Sequence, residues 1–150
     1  MDLTTVGGIQ SEIYVPITPP AVWTPVTKEL KDMSIALATA AGVHRRDQER
    51  FNLAGDSSWR KITNDTPSSE LMVSHGGYDN SDVNKDINCM FPIDRIHELA
   101  AEGFIRACAP VHAGFMGGGG DQEKFKSKTG PEIAEMLRAE DVDAVILTAG

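Results

Sequence analysis

Apolar residues fall in short, nearly unbroken runs, and each run ends in small or polar residues. The first is Met33-Ser34-Ile35-Ala36-Leu37-Ala38-Thr39, closing on Ala40-Ala41-Gly42. A short run that is apolar or small throughout reads as a strand buried on both faces. The same reading predicts strands over 71–74, ending in His75-Gly76-Gly77, over Phe104 to Val111, ending in His112, and over 142–148, ending in Ala149-Gly150. Residues 43–68 are polar and show no clear period.

Helical spacing appears between the later strands. Ile93, Ile96, Leu99 and Ala100 share one face, with Asp94 as a cap and Gly103 as a C-terminal stop. A second helix begins near Asp121 and carries Phe125, Ile133, Met136 and Leu137; Pro131 should kink it or restart it. Strand, helix, strand, helix, strand predicts an α/β fold, a mainly parallel sheet with flanking helices in a Rossmann-like three-layer arrangement. His44, His75, His112 and Gly150 would then gather at one sheet edge. Ahead of this, residues 1–30 hold Pro16, Pro19, Pro20 and Pro25 among Ile13, Val15, Ile17, Val22 and Trp23. They predict an irregular Pro-rich arm packed on the domain or on a partner. Residues 31–150 form the α/β domain, expected to be incomplete at its C-terminus. A central parallel strand normally feeds a covering helix, and none follows the last strand, so apolar surface is expected to stay exposed there.

Composition narrows the partners. A net charge of −8 over 150 residues disfavours nucleic acid and anionic membranes. No apolar run approaches the roughly 20 residues of a spanning helix, and the first residues carry no basic flank or apolar core of a signal peptide. Cys89 and Cys108 form no CxxC pair, which suggests a reducing compartment, by default the cytoplasm.

Candidate chemistry concentrates in Ser74-His75-Gly76-Gly77-Tyr78-Asp79-Asn80 and Asn84-Lys85-Asp86-Ile87-Asn88-Cys89. This segment leaves a strand on the edge where open α/β sheets bind ligands. His75 is available as acid, base or hydrogen-bond donor, with Asp79 or Asp86 to orient it; the same residues also read as a structured loop of Asx turns. Gly117-Gly118-Gly119-Gly120 reads either as an anion cradle at a helix start or as a surface loop. His44 and His112 stand at strand ends, but no ligand spacing among the histidines or cysteines predicts a metal. His97 reads as a solvated helix residue and Cys108 as a small buried hydrophobe. No serine-histidine-aspartate pattern is legible, and the chain stops where chemistry would begin.

Val73-Ser74-His75-Gly76-Gly77-Tyr78-Asp79, Asn84-Lys85-Asp86-Ile87-Asn88-Cys89-Met90-Phe91-Pro92-Ile93-Asp94 and the closing strand from Asp141 to Thr148 together resemble the selenoprotein subunits of the amino-acid reductases. That family includes the B components of the glycine, sarcosine and betaine reductases. Val15-Pro16-Ile17-Thr18-Pro19-Pro20, the stretch from Trp23 to Leu30 and Gly114-Phe115-Met116-Gly117 look like its D-proline branch. The resemblance implies a selenocysteine directly after Gly150, encoded by a UGA that is easily read as a stop, then Gly-Thr-Cys. It implies reductive ring opening of D-proline to 5-aminovalerate, with a pyruvoyl group on a partner subunit engaging the proline nitrogen and a dithiol or protein electron donor supplying electrons. This chain would bind no cofactor itself. His75, Asp79, Asp86, His112 and Gly150 would wall the site, and the chain as it stands would be inactive. The alternatives are a glycine, sarcosine or betaine reductase component, or a non-catalytic α/β scaffolding subunit.

Overall fold

The computed structural model describes residues 24–118 and 120–149. The N-terminal arm expected over 1–30 therefore lies mostly outside the described residues. Of its end, Thr24 to Glu29 run exposed into a 3-10 turn, Leu30–Asp32.

The organising strand is β1, Ser34–Thr39, whose six residues are all buried. Around it lie β3 (Trp59–Thr63), β5 (Ala107–Cys108), β6 (Val111–Phe115) and β7 (Ala144–Thr148). β1 pairs in parallel with β5, β6 and β7, while β3 joins β6 antiparallel at the far side. The expected α/β fold with a mainly parallel sheet is present in this coarse form. Side chains alternate across β1. Ile35 and Leu37 pack into a cluster with Phe91, Ile93 and Ile96, and Ala36 and Ala38 into one with Val111, Ile133 and Leu137. Burying Leu37 alone stabilises by about 2 kcal/mol. The alanines on the other face let a helix approach closely.

Two strand expectations are corrected. The run from Phe104 to Val111 is not one strand. β5 and β6 lie along the same side of β1, where Ser34 faces Ala107, Ile35 faces Cys108 and Ala38 faces Ala113. Five residues thus span what three span on β1, a bulge centred on Ala109-Pro110. Pro110 has no N–H for the ladder, which is why the strand breaks there. Second, 71–74 does not join the main sheet. β4, Leu71–Val73, pairs antiparallel with β2, Val43–Arg45, as a separate two-stranded sheet.

α1 spans Ile93–Ala101, but Asp94 is not its cap. Pro92 stands at the N-cap and Asn88 Oδ1 reaches across to accept from Asp94 N at 3.1 Å. Its far end follows expectation. Gly103, at φ 74°, donates to Ala100 O and Phe104 N to Leu99 O, a Schellman ending. Asp121 caps α2, Gln122–Lys124, which runs through a π-helical turn, Phe125–Thr129, into α3, Gly130–Ala139. Pro131 cannot donate to the preceding turn, and the widened π turn absorbs its ring.

At the edge where β1 begins, Asp143 ties the sheet. Its carboxylate accepts from Ser34 N at 2.8 Å, from Arg106 at 3.1 Å and from Lys28. The Lys28 bond first, then Ser34 N–H, holds its pKa down to about 2. β7 pairs only with β1 among the described residues and leaves Val145, Ile146 and Leu147 exposed, Leu147 at 75 %. Apolar surface does remain open on this strand. Among the described residues no helix is long and apolar enough to cross a membrane.

Candidate active site

The carboxyl ends of β1, β6 and β7 converge. Thr39 faces Thr148 and Gly114, Ala40 N donates to Thr148 O at 2.9 Å, and Gly117 N donates to Ala40 O at 2.9 Å. Ala149 follows β7 on this edge and is exposed; Gly150 lies outside the described residues.

Gly42 turns the chain from β1 into β2. Its φ of 74° is left-handed, and a Cβ would collide with Ser74 O, so only glycine serves. That close approach brings the end of β4 against the end of β1, with Ser74 N donating to Gly42 O at 3.0 Å. His75 follows, half-buried. Gly77 N donates to its Nδ1 at 2.9 Å, and Tyr78 stacks on its ring at 4.9 Å. Tyr78 Oη donates to Ala41 O at 2.8 Å, lashing the loop to the end of β1. Burial alone lowers the His75 pKa below its ordinary value. The loop's far end is tied as well, by Thr148 Oγ1 donating to Met90 O at 2.5 Å.

Asp79, Asp86 and His112 make their hydrogen bonds to groups other than His75. The Asp79 carboxylate accepts from Ser81 N at 2.9 Å, and Asp86 caps a 3-10 turn, Ile87–Cys89, by accepting from Asn88 N at 3.0 Å. Both carboxylates are exposed and spent on local turns, as the loop reading anticipated. His112 lies inside β6 rather than after a strand, fully buried. Leu37 N–H donates to its Nδ1 at 3.0 Å, filling the gap that the bulge leaves in the ladder. Its Nε2 stands 3.6 Å from Cys108 Sγ, itself half-buried. Burial pushes the Cys108 thiol up to about 12 and the His112 imidazole down to about 4. Both groups are therefore neutral at pH 7. His97 is less solvated than its pattern suggests, its Nε2 lying 2.7 Å from Asn64 Oδ1.

His44 is buried in β2. Its Nδ1 lies 2.7 Å from Arg45 O, so Nδ1 carries the proton and Nε2 accepts from Ser74 Oγ at 2.9 Å. The serine is buried too. On the opposite flank a cleft of about 260 Å3 opens between Phe115, Met116, Gly117 and Phe125. The helix start there is already occupied by the Asp121 carboxylate, which accepts from Lys124 N at 3.0 Å; Gly119 lies outside the described residues. Among the described residues no three His, Cys, Asp or Glu side chains are placed to hold a metal.

A family model described as glycine/sarcosine/betaine reductase selenoprotein B matches residues 8–150. The chain belongs to that family. D-proline reductase subunit gamma of Acetoanaerobium sticklandii is 70% identical over 149 residues, covering 99% of this chain and 62% of the relative. Glycine reductase complex component B subunit gamma of Carboxydothermus hydrogenoformans is 33% identical over 130 residues, 83% of this chain and 30% of the relative. Sarcosine reductase complex component B subunit beta of Peptoclostridium acidaminophilum is 28% identical over 145 residues, 93% of this chain and 33% of the relative. The chain thus spans 62% or less of the length of these relatives. No solved structure matches it.

Sequence reasoning missed Tyr78 and the His44–Ser74 pair. Tyr78 stood inside the motif with nothing in its spacing to say that its hydroxyl reaches residue 41. The pair joins residues 30 apart, which only the β2–β4 register brings together.

Proposed function

We propose that this chain is a subunit of D-proline reductase, cleaving D-proline reductively to 5-aminovalerate. The observation that carries the reading is the 70% identity, over 149 residues, to a protein named as a subunit of that enzyme. The lower identity to the glycine and sarcosine relatives argues against those substrates. The reaction breaks the Cα–N bond, adds one hydrogen to carbon and one to nitrogen, and oxidises a dithiol to a disulfide. In this reading a selenocysteine directly follows Gly150, on the edge where the strand ends converge, and supplies a soft nucleophile ionised at neutral pH. A pyruvoyl group on the partner subunit, when present, supplies an electron sink for the ring nitrogen. The chain's own residues shape the site: β1 and β7 fix the approach, and the 74–90 loop walls it. The cytoplasm, where thiols stay reduced, is the compartment this chemistry needs.

The test compares three forms of the chain, each assembled with the pyruvoyl subunit and supplied with a dithiol. The 150-residue form should make no 5-aminovalerate. A form extended through position 151 with selenocysteine should turn over, and one with cysteine there should be slower because less of it is ionised. Product from the 150-residue form, or none from the selenocysteine form, would overturn the reading. A UGA codon after Gly150, followed in frame by Gly-Thr-Cys, is the genomic counterpart.

A further inference from the structure

We infer that His75 is a neutral hydrogen-bond donor that presents Nε2–H to the α-carboxylate of the substrate. The inference rests on the proposed function for its location, and on the ring's own contacts for its chemistry.

Gly77 N–H donates to Nδ1 at 2.9 Å, so that nitrogen must present a lone pair and the ring's proton sits on Nε2. Protonating Nδ1 would set two N–H groups against each other. The residue at 77 is part of the device. A Cβ there would stand 2.8 Å from His75 Cε1 and 3.1 Å from Nδ1, so any side chain would push the ring out of position. Tyr78 covers the ring from one side and is itself anchored to Ala41 O. Among the described residues nothing accepts from Nε2. Three contacts therefore fix one tautomer in one orientation and leave Nε2–H without a partner, while the His75 Cβ packs beside Gly42, which lies three residues past Thr39, the partner of Thr148.

The titratable neighbours on the loop are Tyr78 and Asp79, and Asp79 is spent on Ser81 N. The facing elements contribute Gly42 and the Leu53 carbonyl beside Gly76, neither of them charged. Among the described residues nothing near the ring favours its cationic form. A neutral imidazole donates a hydrogen bond without surrendering a proton, so it suits an acceptor and not a leaving nitrogen. The substrates named for this family differ at nitrogen, which is primary in glycine, secondary in sarcosine and proline and quaternary in betaine. What they share is the α-carboxylate. One fixed donor for that group would serve every member, and a hydrogen bond to a carboxylate is of the stronger kind.

The test uses the full-length chain assembled with its partner subunits. Equilibrium binding without dithiol, followed by calorimetry, compares D-proline, glycine, betaine and pyrrolidine, which has the proline ring but no carboxylate. His75→Ala should weaken D-proline binding by roughly 10- to 100-fold and leave pyrrolidine unchanged. His75→Gln, whose amide nitrogen can occupy the Nε2 position, should stay within about 5-fold of wild type. Gly77→Ala, which keeps the histidine but displaces its ring, should lose affinity as His75→Ala does. Affinity of the wild type should not fall as pH rises from 6 to 8, because the neutral ring is the donor. An equal loss for pyrrolidine and D-proline, no rescue by glutamine, or affinity falling as pH rises through 6.5 would each overturn the inference. If wild type binds glycine or betaine instead, with the same dependence on His75, the inference stands and the D-proline reading fails. Absence of carboxylate-dependent binding in wild type overturns it outright.

Discussion

Lowering the pH should destabilise this fold through His112 before its carboxylates begin to matter. The imidazole is fully buried, and Leu37 N–H points at its Nδ1 from 3.0 Å. A proton on Nδ1 would remove that acceptor and place a charge in the core. Burial accordingly lowers the folded-state pKa from 6.5 to about 4. Between these values the unfolded chain binds the proton and the folded chain does not. Stability from this group is therefore complete above about pH 6.5 and is lost as pH falls towards 4, below which it is flat. Two and a half pKa units correspond to about 3 kcal/mol in all, of which about 2 kcal/mol is gone by pH 5. The assay is urea denaturation at pH 7.5, 6, 5 and 4.5 for wild type and His112→Asn, whose side-chain oxygen can still accept from Leu37 N–H but does not titrate. His44 and His75 also have lowered pKa values and contribute to the wild-type slope, but they do so equally in the variant. The gap between the two proteins should narrow by about 2 kcal/mol from pH 7.5 to 5. A gap that stays constant would refute the reasoning, because it would mean that His112 is not held neutral by the fold.

Gly42→Ala should lower stability by at least about 2 kcal/mol, since a left-handed residue would gain a Cβ aimed at Ser74 O; thermal melts read the loss. Asp143→Asn should lower Tm at pH 7 by removing the anchor of Lys28 and Arg106, and the difference should vanish as pH falls below about 2, where the wild-type carboxylate is protonated too. Iodoacetamide at pH 8 should label exposed Cys89 and spare Cys108, whose thiol is half-buried and pushed up to about 12; mass spectrometry of the peptides distinguishes the two.

The strands buried on both faces were legible because burial leaves an unbroken apolar run, as in β1. β7 read the same way although its outer residues are exposed. The break at Ala109-Pro110 was not legible, because the apolar run continues on either side and only the missing N–H of Pro110 marks it. Its repair by His112 was further out of reach, since nothing local says that a side chain will replace a ladder bond. β2 and β3 hid in polar sequence: in Trp59-Arg60-Lys61-Ile62-Thr63 only Ile62 is buried. β4 was found but assigned to the wrong sheet, because three apolar residues carry no information about their partner. Of the candidate site, the position of His75 just past β4 was legible from a polar segment leaving a strand. Asp79 and Asp86 satisfy their own turns, as Asx residues do, and the one hydrogen bond that orients His75 comes from the backbone of a glycine, which no composition argument singles out.

β1 carries a consequence for synthesis. It begins at residue 34, yet its partner strands begin at residues 107, 111 and 144. A ribosome adding roughly 5–20 residues per second needs about 4–15 s to travel from residue 34 to residue 107. Through that interval a strand whose six residues are all buried in the finished fold has no strand to pair with. β2 and β4, by contrast, are complete within the first 73 residues and can close early. A nascent chain would therefore present a finished two-stranded flap beside a solitary apolar strand, the kind of segment that holdase chaperones bind. Production of this protein should depend on their supply more steeply than its modest size suggests.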